Sequence, residues 1–419
     1  MFKLAANQLP FRWLLPIPII MIIYALILMP VGDLLLNTQS LILNHQPGIH
    51  DYHATAGLGT ALFNVGIVGL MVMGLLKYYK LPLNANGTSA LFIMMGFAFI
   101  GKNFMNIIPF IIGGFLYSKF QNIPFKRVLV ASLLASCLAP LIEFTMLSLP
   151  YNFAAKYAVS ILVGIVISLV AIPIASHILL THQGYNLYNM GYAAGFIGII
   201  AVSVLRSFGL EVEKFALVTE IENSALIWLL LAFNIYFIAV GIFSKCERDK
   251  PYKTIYFYSG RLVTDFTRVL GPGTTMINMG IMGGIGILFV LVFKASLSGP
   301  IVAGLFTLTG FSSFGNHPKN TLPVMIGAII GVLFLNHNLT ISAGMVAVLF
   351  STTLAPIAGE YGVLAGLTVG LMHTVLVSSM ASLHAGMNLY NNGFSGGLIA
   401  TLFVPIIDAY KEDKNAPRK

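Results

Sequence analysis

The sequence predicts an all-α polytopic membrane protein, built from two inverted repeats of about five spans each with one re-entrant hairpin per repeat. Three observations predict it. The 419-residue chain is 57% hydrophobic and only 9% charged, against roughly 25% charged in a soluble domain. Its apolar runs are long and continuous, near the ~20 residues that carry a helix across hydrocarbon, and lack the period-two alternation of a barrel. Finally, the chain repeats itself.

Asp51–Gly66, DYHATAGLGTALFNVG, corresponds to Asp265–Gly280, DFTRVLGPGTTMINMG, at an offset of 214 (265 minus 51). GFAFIGKNFMNIIP from Gly96 and GFSSFGNHPKNTLP from Gly310 keep that offset. Leu138–Pro140 matches Leu354–Pro356, and HQGYNLYNMG from His182 matches HAGMNLYNNG from His384. Four blocks in one order divide the chain into a first repeat, 1–210, and a second, 211–419, with a short cytoplasmic tail.

Each repeat opens with a leading helix, about 14–36 and 222–244. A helix entered through Gly-x-Gly-Thr follows, 57–77 and 271–293. Two short apolar arms then flank a polar break, 88–119 and 300–335. Two long helices come next, 127–147 with 156–180 and 340–358 with 361–382. A last helix opens at Asn-Leu-Tyr-Asn, 186–206 and 388–408. An arm of about 14 residues reaches only ~21 Å, so the broken segment is read as a hairpin.

The charge of +9 sits between apolar segments, so it is read as a topology signal rather than a nucleic-acid footprint. With hairpins, Lys3, Arg12, Lys77, Lys80, Lys119, Lys126, Arg127, the Lys245–Arg268 cluster and the Lys411–Lys419 tail share one side. Only Lys156, Arg206, Lys214 and Lys294 fall opposite. This is expected to place both termini in the cytoplasm; that the membrane is a bacterial cytoplasmic (inner or plasma) one is what the family resemblance given below implies. Five spans is an odd number, so the second repeat is turned over. Met1–Trp13 leads into a long apolar run with no small-residue cleavage site, so the first helix is expected to stay as an anchor, and two cysteines, Cys137 and Cys246, argue against a disulfide framework.

Broken membrane helices expose unpaired N–H and C=O groups that persist only against protein, water or a ligand. The breaks hold Lys102, Asn103 and Asn106 in one half, and Asn316, His317, Lys319 and Asn320 in the other. These groups either contact a solute or ion, an anionic one being favoured by the lysines and helix N-termini, or brace the hairpins. Thr60 and Asn64, with Thr274, Thr275 and Asn278, either line a polar path or cap and cross-link helices. His182, Asn186, Tyr188 and Asn189, with His384, Asn388, Tyr390 and Asn391, can coordinate a cation or solute, or cap the last helices. Glu143 and Glu360 follow the Ala-Pro motifs, as ion-coupling acids or hydrated helix-end groups. His45, His50 and His53 are read as solvated loop histidines rather than a zinc site.

No P-loop, nucleophile elbow, His-Glu-x-x-His or Cys-x-x-Cys occurs. The chain is therefore expected not to be an enzyme, and to need no cofactor or metal, with coupling to Na⁺ or H⁺ left open. Its expected partners are the lipid bilayer, a small-molecule solute and, as an open option, further copies of itself.

On the two break blocks and the two Asn-Leu-Tyr-Asn stretches, the chain resembles an uncharacterised bacterial membrane-protein family with a tandem repeated domain of unknown function. Its inverted layout is similar to that of urea transporters and of membrane subunits of sodium-pumping redox complexes, whose Asp-x-Ser-Gly-Ala-Thr flavin motif is absent here. Opposed hairpins also resemble those of elevator carriers for carboxylates and nucleosides. The expected function is a secondary transporter or channel-like facilitator of a small polar solute, with its site at the two breaks. The alternatives are a membrane subunit of an ion-motive redox complex and a non-transporting scaffold.

Overall fold

The computed structural model describes residues 8–44, 48–213, 216–244, 249–262 and 264–415. Lys3, His45, Lys214, Lys245, Cys246 and the end of the basic tail lie outside the described residues. Ten helices among the described residues are long and apolar enough to cross a bilayer, which makes the chain a multi-pass membrane protein.

The leading helix, α1 (Phe11–Leu28), is shorter than the expected 14–36. Pro30 explains the difference. A proline disfavours helical backbone in the residue before it, and Met29 is extended at φ −145° and ψ 136°. A separate helix, α2 (Val31–Leu43), follows and stays largely exposed. Leu14, Ile17, Met21 and Ala25 recur at helical spacing and are buried, giving α1 one inward face.

A two-residue strand, β1 (Ile49–His50), leads into α3 (Tyr52–Tyr78), which Asp51 caps by accepting from the His53 amide at 3.0 Å. Gly57 interrupts α3 at φ 80°. Its counterpart Gly271 has φ 96° and precedes the corresponding helix of the second half. Such positive φ is open chiefly to glycine, so the Gly-x-Gly-Thr entry marks a real kink in both halves. Next come α4 (Ala85–Phe97) and α5 (Phe104–Phe120), then α6 (Leu129–Ser148), α7 (Phe153–Thr181) and α8 (Asn189–Ser207).

The second half repeats the order. A strand, β2 (Ala216–Leu217), pairs in parallel with β1 and so ties the halves together. Then follow α9 (Ser224–Phe243), α10 (Pro272–Val292), α11 (Gly299–Phe311), α12 (Pro318–Phe334), α13 (Ser342–Tyr361), α14 (Val363–Leu383) and α15 (Asn391–Asn415). A single 3₁₀ turn, Ser136–Leu138 in α6 and Thr352–Leu354 in α13, precedes each Ala-Pro. A proline ring crowds the carbonyl four residues before it and removes a backbone donor, and the tightened turn accommodates it here.

Packing repeats as well. α1 lies on α3 as α9 lies on α10, and α5 lies on α7 as α12 lies on α14. Two pairs join the halves: α4 with α11, and α8 with α15. A side chain on Gly96 would meet Ala303 and Phe306, whereas one on Gly310 would meet Phe92 and Ser89. Contacts therefore run in opposite sequence directions, and α4 and α11 cross antiparallel.

Candidate functional site

The arms at each break have 13 and 17 residues, or ~20 and ~26 Å of helix. Each arm thus ends inside the protein, and its terminal polar groups need partners there.

In the first break, α4 ends at Phe97 and Asn103 starts α5. Asn103 Oδ1 accepts from the Met105 and Asn106 amides at 3.0 and 2.9 Å, while Asn106 Oδ1 accepts from the Asn103 amide at 3.0 Å. This is a reciprocal capping box. The Asn106 amide nitrogen donates to the Gly101 carbonyl and to Glu143 Oε1, each at 3.0 Å. From α3, Asn64 donates to the Ala98 and Lys102 carbonyls at 2.8 and 2.7 Å.

The second break repeats the bonds of Asn64 and of Asn106 but not those of the Asn103 side chain, because His317, in its place, has no partner at Nδ1. Asn278 donates to the Ser312 and Asn316 carbonyls at 2.7 and 2.8 Å. Asn320 accepts from the His317 amide at 2.9 Å and donates to the Gly315 carbonyl at 2.9 Å. One partner differs. Where Asn106 meets a carboxylate, Asn320 meets the Ser259 carbonyl at 3.0 Å.

The lysines part company. Lys102 is fully buried, and its ammonium donates to the Tyr390 hydroxyl at 2.5 Å and lies 3.3 Å from Met94 Sδ. It also stands 4.4 Å from the Tyr390 ring centre; no carboxylate is among its partners. Lys319 is exposed and reaches the Tyr256 carbonyl at 3.3 Å, away from the break's interior. Asn316, which replaces Lys102 in the second half, is fully buried and has no partner at either amide atom. His317 is buried and lies 2.9 Å from the Tyr258 carbonyl.

Each Asn-Leu-Tyr-Asn segment packs against the other half's break. Asn186 donates to the Gly393 carbonyl and Asn388 to the Gly191 carbonyl, both at 3.1 Å. His182 faces Asn189 at 2.8 Å and His384 faces Asn391 at 2.9 Å. Tyr390 meets Phe97 edge to face with 4.5 Å between centres, and Tyr188 meets Phe311 at a tilt with 4.6 Å. Phe350 lies between, 5.7 Å from Phe97 and 6.1 Å from Tyr188. A continuous row of five rings thus joins the two breaks. Tyr188 bonds Thr352 at 2.9 Å instead of a lysine.

Other expected positions fall elsewhere. Thr60 is buried near Met29, Thr274 donates to the Lys250 carbonyl at 2.6 Å, and Thr275 to the Gly271 carbonyl at 2.7 Å. These threonines brace helix entries rather than line the breaks. Glu143 is buried at the first break, whereas Glu360 is exposed. The two acids are not equivalent, because a one-residue shift turns a helical side chain by ~100°. His50 is buried rather than solvated, and His53 lies 3.2 Å from the Glu220 carbonyl. Sequence reasoning passed over Phe97, Phe311, Phe350 and Thr352. The first two were available, since Gly-Phe opens both repeated break blocks.

A cavity of about 560 Å³ descends from Ile49, Glu220 and Ser342 to Phe97, Phe350 and Asn391. A second, of about 260 Å³, includes Ile42 and Phe153 and reaches Asn103, Asn106 and Glu143. Phe153 and Tyr157, at the start of α7, line the second cavity. At the end where α7 finishes, the Leu262 amide donates to the Gly184 carbonyl at 2.9 Å and Arg261 covers the Tyr185 ring.

A family model described as "Protein of unknown function (DUF1576)" matches residues 32–207 and 245–409, covering the repeat twice. The chain belongs to that family. No curated protein and no solved structure matches it. The two matched stretches each contain one break and one Asn-Leu-Tyr-Asn segment, so the family unit is a single half.

Proposed function

We propose that the protein is a secondary transporter or channel-like facilitator of a small polar, anionic solute, with its site at the first break. The observation that carries this reading is Lys102. A lysine fully buried at membrane depth, held by a phenol and a thioether rather than a carboxylate, is costly and is usually kept for function. It stands beside the N-terminus of α5, whose dipole also favours negative charge.

In this reading the halves are inverted and the arms form re-entrant hairpins entering from opposite faces. The antiparallel crossing of α4 on α11 supports it, as do helical arms too short to span. Both termini face the cytoplasm of a bacterial cell. The larger cavity is then an outward vestibule, ending on the ring row at Phe97 and Phe350. The closed contacts of Arg261 and Leu262 seal the inner side. In this reading the protein moves a solute rather than catalysing a reaction and needs no resident cofactor.

The test is thermal unfolding of purified protein against small carboxylates, amino acids, amides and nucleosides. A ligand at one hundred times its dissociation constant stabilises the native state by about 2.7 kcal/mol. One anionic class should shift wild type and leave Lys102→Met unshifted while that variant stays monodisperse. Equal shifts in both proteins would remove Lys102 from the site.

A further inference from the structure

We infer that the 260 Å³ cavity beside the first break is a proton-binding site, with the Glu143 carboxyl as its acid and the Asn106 amide as the lever that passes its charge state to the hairpin. The geometry stands on its own; the consequence for flux rests on the transport reading above.

The cavity lies among the end of α2 and helices α5, α6 and α7. Its polar lining is Asn103, Asn106, Glu143, Tyr157 and Ser160, set among apolar chains such as Ile42 and Met146. Ser160 is 1% exposed, and its hydroxyl has no hydrogen-bond partner. A buried hydroxyl is ordinarily satisfied by protein or by water. The cavity has room for several waters at ~30 Å³ each, and a water file there would carry protons to the carboxylate.

The lining favours a proton over a metal ion. A hard cation collects several oxygen ligands; Glu143 is the one carboxylate among the lining residues, no group of three or more His, Cys, Asp or Glu side chains occurs among the described residues, and the Asn103 and Asn106 oxygens are already taken by backbone amides. A proton needs one carboxylate oxygen and a water path. The step is simple: a proton passes from cavity water to a Glu143 oxygen, leaving a neutral carboxyl, with no other bond made or broken.

The lever is the Asn106 amide. Its nitrogen donates at 3.0 Å both to Glu143 Oε1 and to the Gly101 carbonyl, and its oxygen accepts from the Asn103 amide. A hydrogen bond to an ionised acceptor is roughly twice as strong as one to a neutral group. Protonation therefore weakens the hold on Asn106 and, through it, on the cap of α5. The other break has no such sensitivity, because Asn320 meets the Ser259 carbonyl, which does not titrate. Among the described residues, titratable groups facing Glu143 include the phenols of Tyr52, set against Asn103 at the start of α3, and of Tyr157 on α7. The nearby cation, Lys102, directs its ammonium to Tyr390.

The test uses the full-length protein in liposomes and dicyclohexylcarbodiimide, an apolar reagent that adds to protonated carboxyls. Mass spectrometry should find the adduct on the Glu143 peptide of wild type, more of it at acid than at alkaline pH, and absent from that peptide in Glu143→Gln. Solute uptake should accelerate under an imposed inward proton gradient in wild type and not in Glu143→Gln. No adduct at any pH overturns the site, and so does an adduct suppressed by Na⁺ but indifferent to pH. Uptake in wild type that ignores the gradient overturns the coupling. A titrating adduct in a protein that moves no solute upholds the proton site and sinks the transport reading instead. Labelling and uptake of wild type carry the test alone if Glu143→Gln does not fold.

Discussion

At each break one asparagine from a neighbouring helix closes two backbone carbonyls that the interrupted helix leaves open. Asn64 and Asn278 make the same pair of bonds 214 positions apart. A buried carbonyl left without a donor costs about 1–3 kcal/mol. Asn278→Ala should therefore destabilise the protein by about 2–5 kcal/mol, read as a large fall in thermal midpoint, with Asn64→Ala close behind. An unchanged midpoint in both variants would refute the bracing account. This scale was the most legible in the sequence, because duplication marks a residue twice. Asn106 and Asn320 stood out that way and do occupy equivalent places. Lys102 and Lys319 did not align, and they share nothing in space: Lys319 occupies the position of Met105, two residues into the second arm, and leaves the interior. No repeat marked Tyr390 and Thr352 as belonging to the breaks: Tyr390 reaches Lys102 from the segment before α15, and Thr352 meets Tyr188 from the tightened turn of α13.

The helices are held together by close backbone approach, and the elements fail where that approach is lost. A side chain on Gly327 of α12 would run into the Leu367 backbone of α14, whereas Gly284 on α10 has open space. Gly327→Ala should cost about 1–3 kcal/mol through overpacking, and Gly284→Ala should be neutral or slightly stabilising, both measured by thermal unfolding in one detergent. Equal midpoints would show that α12 can shift away. The β1–β2 clamp is the titratable element. Burial holds His50 at about 4 against an ordinary 6.5. Between those values the unfolded chain binds a proton that the folded chain refuses, so stability is full above pH 6.5 and falls as pH drops toward 4. The slope is at most about 1.4 kcal/mol per pH unit. Burial pushes Asp51 upward, and its contribution runs the opposite way, lost as pH rises. That term persists in His50→Gln, so the difference between the two stability curves isolates the histidine; parallel curves would clear it. Helix existence was readable from apolar runs, but the end of α1 was not. The hydropathy continues past Pro30, and only the backbone constraint of the proline stops the helix.

Across the whole molecule, the halves are joined by reciprocal bonds rather than by one interface patch. Asn186 and Asn388 each donate to a glycine carbonyl of the opposite half, and those glycines touch. Asn186→Ala and Asn388→Ala should each destabilise by about 1–3 kcal/mol, and the double variant should depart from their sum by about 0.5–3 kcal/mol. Strict additivity would mean that the two bonds act as separate anchors. The chain-wide duplication announced that the halves resemble each other. It did not announce that each half finishes the other's break, because that follows from α8 and α15 crossing at Gly191 and Gly393.

That mutual completion bears on how such a chain can change over generations. If two identical polypeptides assembled this way, any substitution at one break would appear at both, and a buried ammonium could never stand opposite an amide. Joining the copies in one reading frame removes that bond of inheritance. Lys102 and Asn316, or Glu143 and the Ser259 carbonyl, can then drift into different tasks while the asparagine braces stay alike. The two breaks need no longer be copies of each other, so one can hold groups that titrate or carry charge while the other holds none in the equivalent places.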